Sequence, residues 1–508
     1  MKNSIIFALI MLFSTIVNAH DFEVNGIYYN ILSFTDKTVE VTQNEADGSI
    51  YNNSYSGTIY IPENVVYGNT SFKVIAIGEN AFSHSNITEA HLPEGLLTIK
   101  LAAFSNCREL KKCNLPESLT LIDSNGFVGT AMDSVFIPGN VTLMTWCFSG
   151  CQMKYLEFAE GIEEIRYLAF TNCRNLRTII YPASLLRIQC STFYNCDNIR
   201  TIISKRQTSP QMFGSTRPTT GGSLIYNPFT STDSDERPIY TLLVPNGARE
   251  SYLNYKTEDG KPGWPVATIE EYDESTDFSK ISTEFVQEDM LYAITNTGNH
   301  NTIQLINTID EGVTEIIIRD KIIRNSIEYS ITSINPNYIS INKELRKVHT
   351  YSKVPIYVHE KTFSANTKLF GTLYVPEKTK SLYENATEWK DFTSIVESDE
   401  VIPPTPNPKC ANPTISLVNG QLMFVCETED VTFVSSVTCV DNGNHNTAIV
   451  PLTAKYRINV YATKDGYDDS DIVTKEISIR GLKGDVDEDG DIKISDVTTL
   501  IDILLGKE

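Results

Sequence analysis

The sequence predicts a mainly β chain: two solenoid arrays, then a small β-sandwich and a short helical tail. Three observations predict it. Phe82, Phe104, Phe127, Phe148, Phe170 and Phe193 recur at gaps of 21 to 23 residues. Ile77, Ile99, Ile122, Met144, Ile165 and Ile188 keep the same beat, as do Pro93, Pro116, Pro138 and Pro182, with Ala159 in the remaining proline place. A proline run over 401–408 then separates the repeats from alternating apolar runs and a carboxylate-rich end. Self-similarity at this period marks stacked coils that share one core, present a surface and usually hold no catalytic pocket.

Taken in order, residues 1–19 read as a secretory signal. Lys2 supplies the positive start, Ile5 to Phe13 the apolar run, and Val17-Asn18-Ala19 the residues before a cut at His20. The run is too short for a membrane span, which takes about 20 apolar residues. No cysteine follows the cut, so lipid attachment there is not expected, and the mature chain is expected to be exported and soluble. The formal net charge of −22 opposes nucleic acid as a partner, because phosphates repel such a surface. Residues 481–508 hold eight Asp/Glu against three Lys, a net −5 of that total.

The coils can be written out from Ile99: Phe104, Cys107, Leu110, Cys113, Leu115, Pro116, Leu119 and Ile122. The Leu110/Cys113/Leu115 pattern recurs as Met132/Val135/Ile137, Met153/Leu156/Phe158 and Leu176/Ile179/Tyr181. Its last three positions alternate inward and outward, as in a short strand, and the proline after it ends the ladder. Stacking would set these strands side by side and the phenylalanines in a column.

Cys107, Cys151, Cys173 and Cys196 each follow a repeat phenylalanine by three residues, where Ser85 and Thr130 stand in other coils. Cys113 fills an Ile/Val slot and Cys147 the small slot before Phe148. In an exported protein ten cysteines would suggest disulfides, but these positions read as small buried thiols.

This pattern resembles the BspA-type leucine-rich repeats of bacterial surface proteins. The likeness runs over residues 57–204 and includes the entry segment Asp21 to Asn30, implying a β-rich N-cap. It implies a leucine-rich-repeat solenoid that adheres to other cells or proteins. A second copy follows. Ile61, Phe72, Val74 and Ile77 align without a gap on Ile318, Tyr329, Ile331 and Ile334. Thr241 to Pro245 with Tyr252 and Trp264 parallels Thr372 to Pro376 with Tyr383 and Trp389. These aromatics read as anchors of short helical caps. One array is therefore assigned to 20–272, with 207–236 as a long loop, and a truncated one to 277–398.

Residues 401–408 are a stiff linker. Residues 409–480 alternate as in a β-sandwich, and Tyr456 to Asp469 resembles the Ig-like modules at the C-termini of chitobiase-like enzymes, which implies a spacer. Within 481–508, Asp485, Asp487, Asp489, Asp491 and Asp496 space their carboxylates as a calcium loop does, with Gly490 at the sharp turn. The loop and the Leu/Ile-rich stretch Thr498 to Leu505 resemble one dockerin type I repeat, where that family has two. The resemblance implies calcium as cofactor, a cohesin partner, and partner choice at Ile494 and Ser495.

No phosphate loop, dinucleotide fingerprint, zinc-protease pair or nucleophile elbow occurs, and His359-Glu360 lacks a second histidine. The chain is therefore expected to be non-catalytic. Among the outward strand slots, His91, Phe136, Tyr155, Glu157 and Ile180 are the candidate contact residues for a protein ligand, with Ile203 beyond them. Such a column either binds a partner or lies under a cap or loop. A non-catalytic glycan-binding subunit of a polysaccharide-degrading complex is the alternative reading.

Overall fold

The structure is a computed structural model. It describes residues 20–43, 55–214, 228–229, 240–257, 260, 263–264, 268–308, 312–335, 344–358, 362–398, 408–418, 421–439, 453–464 and 467–480. The signal segment, the loop Asp485 to Asp496 with Ile494 and Ser495, and most of the proline run lie outside them. The chain divides into two compact units, Met1–Ser282 with Thr295–His300, and Thr283–Ile294 with Asn301–Glu508.

The first unit opens with an antiparallel meander, Phe22–Val24, Ile27–Ser33 and Thr38–Thr42. Its Phe22 ring stacks on Tyr29 at 5.3 Å and on Tyr67 at 4.4 Å, closing the end of the core. Thr38–Thr42 then pairs in parallel with Thr70–Ile77, and the coils follow. One wall carries the isoleucine series, Ile77 beside Ile99 beside Ile122. The next place belongs to Leu143, not to Met144 as the spacing suggested. The gap from Phe127 to Phe148 is the shortest of the series, so the register closes one residue early and Met144 is left half-buried.

The opposite wall holds the longer strands. Ser56–Tyr60, Asn86–His91 and Lys112–Cys113 form one parallel sheet. Ser134–Ile137, Tyr155–Phe158, Thr178–Tyr181, Thr201–Ser204, Thr241–Pro245 and Thr268–Tyr272 form a second. Between the walls stand the phenylalanines. Phe82, Phe104, Phe127, Phe148, Phe170 and Phe193 stack at 4.9 to 5.6 Å with ring planes within 17°, and Phe229 extends the column. All six are buried, so each adds both apolar area and ring contacts to the shared core.

Each turn around a phenylalanine needs two left-handed residues. Asn80, Ala102, Asn125, Trp146, Leu168 and Ser191 precede the ring by two, and His84, Asn106, Gly129, Gly150, Asn172 and Asn195 follow it by two. The second set is mostly Asn or Gly, the residues that enter this region at least cost. This conformation aims the turn's N–H groups along the stack. Phe104 donates to the Gly126 carbonyl, Phe127 to Cys147 and Phe148 to Ala169, at 2.7 to 2.9 Å. The thiols work the same way. Cys107, Cys151, Cys173 and Cys196 each point at the carbonyl of the preceding coil's phenylalanine, at 2.9 to 3.1 Å. They are free and buried, and burial pushes the Cys107 thiol up to about 11.

The second unit has its own meander, Glu284–Gln287, Met290–Asn296 and Thr302–Thr308, in which Phe285 stacks on Tyr292 at 5.6 Å. The parallel ladder Glu315–Ile318, Lys347–Thr350, Thr372–Val375, Ser394–Glu397 follows. The two closing segments share one construction. Tyr252 donates to the Arg206 carbonyl and Trp264 to Ser209; Tyr383 donates to the Ser352 carbonyl and Trp389 to Ile356, at 2.7 to 2.9 Å. Beyond residue 408 the described strands are a hairpin, Thr414–Val418 with Gln421–Val425, and an antiparallel sheet of Thr432–Cys439, Thr453–Thr463 and Val473–Arg480. They pack through Ile415, Ile458 and Val460.

Candidate interaction face

The first unit's outward slots line up by strand register. Tyr60 lies beside His91, and Glu89 beside Lys112. In the next sheet Phe136 lies beside Glu157, Glu157 beside Ile180, and Ile180 beside Ile203. Alternation along a strand puts these side chains on the face turned away from the phenylalanine column.

The row divides into an open part and a covered part. Tyr60 is 68% exposed and its ring stacks on His91 at 4.4 Å with 7° between planes. Glu89 lies 3.2 Å from the His91 imidazole. Phe136 is 48% exposed on its strand. Asn114 does not face out freely, because its amide satisfies both the N–H and the carbonyl of Leu92 at 2.7 Å each.

Tyr155 and Glu157 are transitional. The Tyr155 hydroxyl donates to Glu157 at 2.8 Å, and the Lys205 ammonium reaches the same carboxylate at 3.0 Å. Burial, then the Glu157 carboxylate, holds the Tyr155 phenol above its ordinary range. Both side chains are half-buried and tied to the sheet.

Ile180 corrects the reading of the sequence. It is 2% exposed, and Ile203 is fully buried. All four residues of Thr178–Tyr181 and of Thr201–Ser204 are buried on both faces. After the closing segment the chain returns over this part of the sheet, where the Thr178 hydroxyl donates to Ser282 at 2.6 Å. Strand alternation assigns a side, but only the path of later chain decides whether that side meets water.

Sequence reasoning passed over Tyr60, whose signal was its place directly before the repeat residue Ile61. It also passed over Trp146, a left-handed turn residue that is 46% exposed. Among the described residues no three His, Cys, Asp or Glu side chains converge as a metal site would need, and no helix is long and apolar enough to cross a membrane.

Comparison with known proteins agrees with the repeat. The family model of the BspA type leucine rich repeat region matches in six copies, over residues 25–151, 75–200 and 141–216. No curated protein matches the chain. Among solved structures, a leucine-rich repeat protein from Bacteroides ovatus is 16% identical, covering 75% of this chain and 100% of its own, with a TM-score of 0.27. The pneumococcal vaccine antigen PcpA is 15% identical, covering 75% of this chain and 98% of its own, with a TM-score of 0.33. The leucine-rich repeat protein of T. pallidum is 18% identical, covering 36% and 80%, with a TM-score of 0.30.

Proposed function

We propose, from the premise that residues 25–216 are a BspA-type leucine-rich repeat region, that this is an exported, non-catalytic binding protein that grips a protein partner with its first array. The observation that carries the proposal is the open part of the outward row. Tyr60 stacked on His91, with Phe136 further along, places exposed aromatic rings on the open part of the ladder. Large rings held by their own backbone lose little entropy on contact, and aromatic anchors dominate protein interfaces. The charged neighbours Glu89, Lys112 and Glu157 would orient the partner.

The tail enters the proposal on its sequence alone. Asp485, Asp487, Asp489, Asp491 and Asp496 are suited to a hard cation, and calcium would order the loop that carries Ile494 and Ser495. A cohesin-like partner would then dock there. A second reading, glycan binding, draws on the same Tyr60–His91 pair, because a flat exposed ring beside a carboxylate also suits a sugar face.

The test is capture from the producing cells' envelope and medium. Residues 20–508 would be compared with residues 20–480 and with a Tyr60→Ala, His91→Ala, Phe136→Ala variant, in calcium and in chelator. A protein partner lost by the triple variant and kept by residues 20–480 supports the repeat face. One captured only by the full chain in calcium supports the tail. Capture unaffected by the triple variant refutes the face, and binding that survives proteolysis of the target and appears on a glycan array turns the reading to carbohydrate.

A further inference from the structure

Each unit carries a hairpin whose last outgoing residue packs on the first aromatic of its meander. In the first unit Tyr67, opposite Thr70, stacks on Phe22 at 4.4 Å. In the second the equivalent residue is Arg324, opposite Ile327, with its guanidinium 4.7 Å over the Phe285 ring. The tip that follows is Gly68–Asn69 in one and Asn325–Ser326 in the other.

The two tips have different surroundings. Tyr67 is an exposed ring. The Arg324 side chain is 12% exposed, because the turn 467–469 of the C-terminal module sits on it. Arg324 donates from one amine to the Tyr467 carbonyl at 3.3 Å, and its other amine lies 3.4 Å from an Asp469 oxygen. The Asn325 amide donates to the second Asp469 oxygen at 3.0 Å, and the Asp469 N–H donates back to Asn325 at 2.7 Å. Both oxygens and the N–H of one aspartate are therefore read by two adjacent residues.

The turn is also braced from behind. The Asp468 N–H donates to the Pro408 carbonyl at 2.9 Å, and the Cys410 N–H donates to the Asp468 carbonyl at 2.8 Å. Lys409 pairs with Asp471 at 2.6 Å. The chain that emerges from the proline run is thus held by the same turn that meets the hairpin.

We infer that the Arg324–Asn325 tip is a dedicated receptor for an aspartate-bearing turn, and that its occupant is the module's own Tyr467–Asp469. A spacer swinging on a proline-rich tether needs no such contact. A planar guanidinium fork with an adjacent amide suits a carboxylate and its flanking backbone, and it is well suited to partial burial. The module is latched to the second array, and chain beyond residue 480 starts from an anchored body. The first unit has Tyr67 and Gly68 in these places and so lacks the fork.

Hydrogen exchange on residues 20–508 tests this. One variant, Arg324→Tyr with Asn325→Gly, places the first unit's residues on the second unit's hairpin. A second, Asp469→Ala, cuts the contact from the module side. Each is expected to raise exchange in the 467–471 turn at least about tenfold, while the amides of Ile327–Ile334 keep their protection. If the double variant loses protection in that strand as well, Asp469→Ala decides alone. Exchange at the turn that stays at the wild-type rate in the deciding variant overturns the latch.

Discussion

Replacing Phe127 by alanine tests the load on the ring column. Phe127 is fully buried, and its ring lies between Phe104 at 4.9 Å and Phe148 at 5.0 Å, with 3° between planes on each side. Loss of a buried phenylalanine costs about 3–5 kcal/mol in transfer and cavity terms. Two ring pairs are lost with it, each worth about 0.5–1.5 kcal/mol beyond area. Neighbouring coils cannot slide in to fill the gap, because the Phe104, Phe127 and Phe148 N–H groups are tied to the next coil. The expected loss is therefore about 4–8 kcal/mol, from the upper part of the cavity range to beyond it. Solenoid stability is a sum of coil and interface terms, so the loss should concentrate on the coils touching Phe127. Urea unfolding of residues 20–508, read together with exchange at the Phe104 and Phe148 amides, measures it. Phe136→Ala, an exposed ring on the same solenoid, is the control and should cost under about 1 kcal/mol. A Phe127→Ala loss below about 2 kcal/mol, or one spread evenly over both units, would refute the reasoning.

Four further outcomes follow from the same structure. Cys173→Ala should cost about 1–3 kcal/mol by leaving the Phe148 carbonyl without its thiol donor, whereas Cys173→Ser should recover most of this in an unfolding titration, since Ser85 fills the same slot. Burial raises the Cys107 thiol from 9.0 to about 11, so its contribution is complete below pH 9 and is lost as pH rises from 9 towards 11; urea midpoints should hold to pH 8.5 and then fall, and Cys107→Ser should flatten that fall. Gly150 is left-handed with open space around its Cα, so Gly150→Ala should cost about 1–2 kcal/mol in thermal unfolding while Gly150→Asn stays close to wild type. Tyr383→Phe removes the hydroxyl that donates to the Ser352 carbonyl, which should cost about 1 kcal/mol and raise exchange in the last coil of the second array without touching the first.

Much of this was readable from the residues. The 21–23 residue spacing announced the column, because a ring that stacks on its equivalent must return once per coil. The Cys, Ser and Thr residues three places later marked a small buried slot, although their work as donors to the preceding turn appears only with the carbonyls in place. Tyr252 and Tyr383 could be matched because each lies seven residues after a proline, Pro245 and Pro376, with Trp264 and Trp389 following, yet the acceptors of all four lie 31 to 55 residues away along the chain. The second meander was missed, because Phe285 and Tyr292 sit in a stretch whose other residues have diverged from Asp21 to Asn30.

By itself the sequence determined the quantities that repeat: the coil length, the inward and outward alternation, and the duplication of the array. Each is a local or periodic constraint, satisfied within a coil and the next one. Tertiary structure decided what non-local chain does to those surfaces. It buried Ile180 and Ile203 while leaving Tyr60 and Phe136 open, it moved the Met144 place to Leu143, and it set the Tyr467–Asp469 turn on Arg324 and Asn325. A residue's side of a strand follows from alternation, but its exposure follows from residues a hundred or more places away, and no period in the sequence records where those return.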